Sequence, residues 1–309
     1  MSNETQHDLI VIGAGIAGLA ASTYARRLGL STAILESQLF GGLIVNVNEL
    51  DGDSPGSGAD LASAMMMEAT DLGAEYLAVV ATQVLQDGES IVVKSDAGSH
   101  RARAVIVATG AVLKKLHVPG EAELEHKGVS HCANCDGPLF HGKDVLVVGG
   151  GDSALQSALV LSNFCRRVHL VHRGERFRAK PHLSHAVASA SNIEVRWHTV
   201  VEAVVGSAEV EAVRVRSLAN QRIEDVPCSG FFAFVGLQPA SDFLPPSIRR
   251  DDRGRIVTGD NLQTSIGRVY AAGAVRSGCG GVIADAVADG EAAVRAGASL
   301  LGLPPGAGV

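Results

Sequence analysis

Two cysteines three positions apart, in the run Cys132-Ala133-Asn134-Cys135-Asp136, are the residues best suited to chemistry in this chain. At the first turn of a helix this spacing brings both sulfurs within disulfide reach, and the helix N-terminus lowers a thiol pKa. His131, directly before the pair, favours a thiolate further when it carries charge. Asp136 stands where it donates or accepts a proton as a thiol or a redox carrier changes state. Two other readings compete with redox exchange. Zinc needs a second ligand pair, yet there is no other CxxC and no HxxxH, which leaves His131 and His141 nearby. A pair of inert buried thiols is the other. Cys165 and Cys228 fit buried small hydrophobes, and Cys279, within Ser277–Gly281, fits core or loop filler.

The elements that must position this pair come in two similar sets. Asp8-Leu9-Ile10-Val11-Ile12 runs into Gly13-Ala14-Gly15-Ile16-Ala17-Gly18 and an Ala-rich helical stretch ending near Leu28. Asp144-Val145-Leu146-Val147-Val148 runs into Gly149-Gly150-Gly151-Asp152-Ser153-Ala154 and a second helical stretch through Leu161. Each is a buried parallel strand, a glycine turn and a helix start. Such a turn lets the backbone approach a pyrophosphate, whose charge sits at the helix N-terminus. A lone GxGxxG is a weak signal; here the strand–helix context is right twice. Two ordinary turns with small residues for packing are the competing reading.

The second strand of each set separates the ligands. Ala33-Ile34-Leu35 ends at Glu36, about 20 residues past its turn, where a carboxylate accepts hydrogen bonds from an unphosphorylated ribose. Val168-His169-Leu170-Val171 ends at His172-Arg173, with Arg176 and Arg178 following, which suits a 2′-phosphate; a solvated loop is the alternative. Ala104–Gly110, Phe231–Gly236 and Val269–Gly273 are further apolar strands stopped by glycine, and an Ala-rich stretch from Gly281 to Leu301 predicts a terminal helix. The expected boundaries are 1–114 with 243–309 for one domain and 115–242 for an inserted one.

Composition agrees with a folded α/β protein. Hydrophobic residues make up 46% of the 309 residues, and 36 glycines with only 4% aromatics suit strand-to-helix turns better than a β-sandwich. The net charge of −7, without a basic run, argues against nucleic acid and anionic membranes as partners. The apolar stretch Leu9–Ala21 follows Glu4, His7 and Asp8 and contains three glycines, which predicts a soluble, cytoplasmic protein rather than an exported or membrane one. Five cysteines, an odd number, argue against a structural disulfide framework.

The order GAGIAG, ATG, CANCDG, GGGDSA, HRGERFRA and a late AAG resembles the low-molecular-weight thioredoxin reductases over nearly the whole chain, with CxxCDG before GGGxSA as its most specific feature. The resemblance implies two Rossmann-like three-layer α/β domains, the second inserted in the first, and a homodimer. It implies FAD held by Gly13, Gly15, Ile16, Ala17, Gly18, Glu36, Gly41, Gly42 and Leu43. Ala108, Thr109, Gly110, Gly273 and Ala274 complete that set. NADPH, with NADH or neither left open, would be held by Gly151, Asp152, Ser153, His172, Arg173 and Arg178. Cys132 and Cys135 would be the exchanging pair with Asp136 as proton donor, no metal taking part. The partner would be a thioredoxin-like protein or a small-molecule disulfide or dithiol.

Several positions depart from the family. Ala274 replaces an aspartate that binds the flavin ribityl chain, Leu43 stands in for a glutamine, and Gly174 replaces the second Arg of HRR. Asn48-Glu49-Leu50-Asp51-Gly52 lacks a flavin-contacting asparagine, and Gly280-Gly281-Val282 replaces polar flavin contacts. One lost charged hydrogen bond costs about 1.5–3 kcal/mol, which many remaining contacts tolerate. The leading expectation is a disulfide reductase passing electrons from NAD(P)H through FAD to the cysteine pair. The alternatives are a dithiol oxidase independent of NAD(P)H, an enzyme fed by ferredoxin or a second flavin, and a non-enzymatic redox sensor.

Overall fold

The structure is a computed structural model and describes residues 6–47, 50 and 56–300; Asn48, Glu49, Asp51, Gly52 and Leu301 lie outside the described residues. The chain forms two compact units, Met1–Val112 with Gln238–Val309, and Leu113–Leu237.

The first unit begins with β1 (Gln6–Ile12), α1 (Ile16–Arg27) and β2 (Thr32–Glu36). It continues through α2 (Gly58–Asp71), β3 (Glu75–Ala78), β4 (Ala81–Asp87), β5 (Ser90–Ser95) and β6 (Gly98–Val107). The short strand β7 (Ala111–Leu113) leads to the second unit, which opens with β8 (Val129–Ser130), α3 (Ala133–Asp136), β9 (Asp144–Gly149) and α4 (Asp152–Ser162). There follow β10 (Arg167–Val171), α5 (Pro181–Ser189), β11 (Ile193–Arg196), β12 (Thr199–Val205), β13 (Ala212–Ser217), β14 (Ile223–Pro227) and β15 (Gly230–Phe234). After β16 (Leu237–Pro239) the chain returns to the first unit with β17 (Val269–Ala271) and α6 (Ile283–Leu300). The crossings fall at 112/113 and 237/238, where sequence punctuation suggested 114/115 and 242/243. The intervening strands β7 and β16 are too short to carry a periodic signal.

In the first unit β3, β2, β1, β6 and β17 form a parallel run, and β5 and β4 extend the same sheet antiparallel beyond β6. The central strands β1 and β2, the end of β6 and β17 are buried on both faces, which is why they read as continuous apolar runs. Leu9 and Val11 pack with Ala17, Ala21 and Ala25 of α1 and Ala293, Val294 and Ala298 of α6. Ile10 and Ile12, one pleat over, pack with Val84, Ile91 and Val93 and with Leu244, Ile248 and Ile256.

The second unit repeats the plan. Its parallel sheet has the order β11-β10-β9-β15-β8. Val145 and Val147 face Ala154, Leu155, Ala158 and Leu161 of α4, while Leu146 and Val148 face Val204, Val213, Val215 and Val226 of the antiparallel sheet β12-β13-β14. The second unit thus has helices on one face of its parallel sheet and a separate antiparallel sheet on the other, whereas in the first unit β4 and β5 belong to the main sheet and contribute Val84, Ile91 and Val93 to the core with Ile10 and Ile12. The helical layers follow from the 3.6-residue apolar repeat; the antiparallel strands were not anticipated. Among the described residues no helix is long and apolar enough to cross a membrane.

The first glycine turn is dictated by space. Gly13 has φ of +104°, which glycine adopts without steric cost, and a Cβ on Gly18 would lie 1.9 Å from the Gly13 oxygen. That approach lets α1 sit directly against β1. Gly18→Ala is expected to cost about 1–3 kcal/mol through overpacking. Thermal denaturation of wild type and variant checks it; an unchanged midpoint would show that the turn relaxes freely.

Candidate active site

The cysteine pair sits at the start of α3, delivered there by β8. Cys132 and Cys135 form a disulfide with their α-carbons 5.3 Å apart. Cys132 is the N-cap of α3, and its Sγ accepts the Cys135 N–H at 3.1 Å. Ser130 Oγ donates to Asp136 Oδ2 at 2.6 Å and accepts the Cys132 N–H at 3.2 Å, so a carboxylate is tied to the segment entering the disulfide. On the other side of that segment His131 Nε2 lies 2.8 Å from Glu125 Oε1, and Lys115 Nζ donates to Glu125 Oε2 at 3.0 Å. Cys135 is exposed and Cys132 half-buried.

The remaining thiols behave differently. Burial pushes the Cys165 thiol up to about 11 and the Cys228 thiol up to about 12, so both are neutral near pH 7 and act as small hydrophobes. Cys279 is a free, half-buried thiol in the loop before α6.

The first glycine turn, at the C-terminal end of β1, has the features of a dinucleotide cradle. Gly15 caps α1 with no side-chain hydrogen bond, and the first turn of α1 has no acidic residue, which leaves helix N–H groups open to an anion. Glu36, at the end of β2, accepts the Ala14 N–H at 2.8 Å and the Gln38 N–H at 2.9 Å. A carboxylate has about four lone-pair sites, so capacity for ribose hydroxyls remains. Gly41 donates its N–H to the Ala14 oxygen at 2.7 Å and bridges to Gly15, which brings Gly41, Gly42 and the half-buried Leu43 alongside the turn.

Ala108, Thr109 and Gly110 follow β6, the neighbour of β1. Ala108 N–H donates to the Ile12 oxygen at 2.8 Å, and Thr109 Oγ1 to the Ala240 oxygen at 2.6 Å. Gly273 approaches α1 closely: a Cβ there would lie 2.8 Å from the Ala17 Cβ. Ala274 is exposed beside it. Gly13, Gly15, Ile16, Ala17, Gly18, Glu36, Gly41 and Gly273 are thus gathered around one turn, and they fit a bound FAD.

Sequence reasoning missed what holds the late AAG segment. Asp289 Oδ2 accepts the Gly273 N–H at 3.0 Å and Arg276 Nε at 2.6 Å, while Oδ1 accepts Arg276 Nη2 at 2.5 Å. The Asp289 hydrogen bond holds the Arg276 guanidinium above its ordinary pKa. No local spacing signals this pair, because one partner follows the strand and the other lies on α6.

The second glycine turn is built alike but charged differently. Gly151 caps α4 without a side-chain bond, and a Cβ there would meet nothing within 4 Å. Asp152 in the first turn of α4 is engaged, its Oδ1 accepting the Lys180 N–H at 2.8 Å. His172 is buried against the turn: a Cβ on Gly150 would lie 2.3 Å from His172 Cε1, and His172 Nε2 lies 3.1 Å from the Arg176 oxygen. Burial pushes the His172 pKa down, with Arg178 and Arg173 adding to the effect, so the imidazole is neutral near pH 7. Phe177 stacks on Trp197 with centroids 4.4 Å apart, and both rings flank His172. Arg173, Arg176 and Arg178 are exposed, and none is ion-paired among the described residues. Gly174 adds no charge to them. The Arg178 N–H donates to the Gly150 oxygen at 2.7 Å, so the basic loop is pinned to the turn.

The family model for pyridine nucleotide-disulphide oxidoreductases matches residues 7–296. The chain is 36% identical over 302 residues to a thioredoxin reductase of Treponema pallidum, covering 96% of this chain and 98% of that one. A thioredoxin reductase of Bacillus subtilis is 35% identical over 300 residues, covering 96% of this chain and 95% of the relative. Among solved structures, the Lactococcus lactis thioredoxin reductase in its FR conformation superposes with a TM-score of 0.87 at 30% identity, covering 96% of this chain and 99% of that one. Two glycine turns on separate parallel sheets, a CxxC disulfide and these matches converge: the chain belongs to the pyridine nucleotide-disulphide oxidoreductase family and is a flavin-dependent disulfide oxidoreductase of the thioredoxin reductase type.

Proposed function

We propose that this enzyme reduces the disulfide of a thioredoxin-like protein in the cytoplasm, working as a homodimer, with NADPH as the source of electrons. The observation that carries the reading is the Cys132–Cys135 disulfide, set on a short helix in the same unit as the second glycine turn. The Treponema pallidum and Bacillus subtilis relatives are thioredoxin reductases, which favours this direction of electron flow over a dithiol oxidase or a ferredoxin-fed enzyme.

FAD would be held by Gly13, Gly15, Ile16, Ala17 and Gly18, by Glu36 through its ribose, and by the flanking Gly41, Gly42, Leu43, Ala108, Thr109, Gly110, Gly273 and Ala274. Bound there, FAD would supply the chemistry of accepting a hydride and delivering two electrons to a disulfide. Gly151, Asp152, Ser153 and His172 would shape the nicotinamide cofactor's pyrophosphate and adenosine site, and Arg173 and Arg178 would take the 2′-phosphate. The neutral His172 packs and orients there rather than supplying charge. Asp136, hydrogen-bonded to Ser130, would hold or release the proton that accompanies opening of the disulfide.

Reduced, the pair attacks a substrate disulfide by thiolate exchange. Cys132 is the better attacking sulfur, because its Sγ receives the Cys135 N–H and that donor stabilises a thiolate. A small-molecule disulfide reacting by the same exchange is the alternative acceptor.

Three experiments test the reading. Anaerobic titration of the purified protein with NADPH should bleach the flavin with about one equivalent, as a two-electron carrier requires; flavin left oxidised by NADPH but reduced by dithiothreitol would move electron entry elsewhere. Changing both Cys132 and Cys135 to Ser should abolish thioredoxin turnover, and Asp136→Asn should slow it by about a hundredfold or more; full turnover in the double variant sinks the mechanism. Arg173→Ala with Arg178→Ala should raise KM for NADPH by about tenfold to a hundredfold while sparing NADH, the loss of charged hydrogen bonds to a phosphate. Equal effects on the two cofactors would make the basic loop a solvated surface.

A further inference from the structure

The second glycine turn leads to an aromatic surface that the reaction above leaves unused. The His172 ring occupies the space that a Cβ on Gly150 would fill, and its centroid is 5.7 Å from Phe177 and 5.9 Å from Trp197. Phe177 and Trp197 in turn meet each other at 4.4 Å, tilted by 44°. Contacts therefore run without a gap from the turn to the indole. Trp197 is the only tryptophan of the chain and is 37% exposed, although its ring system carries a large apolar area.

The main chain fixes this ring beside the basic loop. Trp197 directly follows β11, as His172 follows β10, so both stand at the C-terminal edge of the parallel sheet. Past the two strands the backbone bonding continues. His172 N–H donates to the Arg196 oxygen at 3.0 Å, Thr199 N–H to the His172 oxygen at 3.0 Å, and His198 N–H to the Gly174 oxygen at 3.2 Å. Thr199 Oγ1 adds a bond to the Trp197 oxygen at 2.8 Å. Trp197 is thus held across from the stretch His172–Gly174. Gly174 leaves His172 uncrowded there, since a Cβ on it would already lie 3.0 Å from the imidazole Nε2.

We propose that Trp197, backed by Phe177, is the stacking surface for the adenine of the nicotinamide cofactor. This rests on the reading of the second glycine turn as that cofactor's site, with Arg173 and Arg178 on the 2′-phosphate. The covalent structure of the ligand supplies the link. The base is joined to one ribose carbon and the 2′-phosphate to the next, so the residues that hold the phosphate have the adenine as their immediate neighbour. Phe177 and Trp197 are the rings that contact His172 in that neighbourhood. An indole already fixed by its surroundings receives the π-face of a base at little ordering cost. The arginines then distinguish a 2′-phosphate from a hydroxyl, while Trp197 adds affinity that does not depend on the phosphate.

The test uses the FAD-loaded, full-length protein and adenosine 2′,5′-bisphosphate, which carries the base and the 2′-phosphate but has no nicotinamide to reduce the flavin. Its dissociation constant is measured by calorimetry in the parent, Trp197→Leu and Trp197→Phe. Leu keeps apolar bulk against Phe177 without a π-face; Phe keeps a smaller π-face. Binding should weaken about tenfold in Trp197→Leu and at most about threefold in Trp197→Phe, as loss of one stacked base requires. In the parent, tryptophan emission reports position 197 alone and should change along the same binding curve, a readout that needs no substitution. Parental affinity in Trp197→Leu overturns the proposal. Equal weakening in both variants also overturns it, making the indole a packing piece, and so does binding that leaves the parent's emission unchanged. A parent that binds neither the bisphosphate nor NADP⁺ would take down the nicotinamide site of the previous section as well; tight parental binding indifferent to Trp197 sinks this inference alone.

Discussion

A parallel sheet buried on both faces offers a charged ligand one place to bind, its C-terminal edge. In this protein that constraint acts twice. Leu9, Ile10, Val11 and Ile12 are all buried, as are Val145, Leu146, Val147 and Val148, so neither face of β1 or β9 admits a polar group. The helix N-termini that begin just past these strands at Gly15 and Gly151 carry the unpaired backbone donors, and both helices lack a side-chain cap. An uncapped helix start is ordinarily a cost of about 1 kcal/mol, and an anion that accepts those donors offsets it. The two turns thus share the backbone chemistry that suits a pyrophosphate.

The turns differ in what surrounds them, and the differences are chemical. At the first, Glu36 uses both oxygens to hold backbone N–H groups, which fixes its orientation before any ribose arrives. At the second, the buried residue is an imidazole that its surroundings keep neutral, and the positive charge lies outside it on exposed arginines. A carboxylate at one turn and a basic rim at the other cannot serve the same nucleotide well, because a 2′-phosphate beside Glu36 would meet like charge. Electrostatics thus suits the two turns to different nucleotides although their architecture is nearly the same.

Much of this was legible in the chain alone. Glu36 and the His172-Arg173 pair were readable because strand length and turn geometry place the end of the second strand at a fixed spacing from the glycines. The CxxC was readable because both sulfurs lie within one helical turn. What escaped notice depends on contacts across distance or on very short elements. β8 has two residues and no period, so nothing local announces that Ser130 reaches Asp136 or that Glu125 faces His131. The antiparallel layer is another matter: Val213-Arg214-Val215-Arg216 alternates strictly, and that period of two was a usable signal for a half-buried strand.

The departure at Ala274 bears on how such a site tolerates change. The resemblance to the low-molecular-weight thioredoxin reductases implies a carboxylate at this position that reaches the flavin's ribityl chain. Here the turn is held without it, because Asp289 on α6 binds the Gly273 N–H and grips Arg276 with both oxygens. The Arg276 and Asp289 side chains are 15% and 10% exposed, a degree of burial at which removing one partner costs about 3–5 kcal/mol. Loss of a ligand-facing carboxylate removes only about 1.5–3 kcal/mol from the bound cofactor. Shape and affinity are thus carried by different residues, and the shape is the more strongly held. The turn at Gly273 therefore keeps its shape with an alanine at 274.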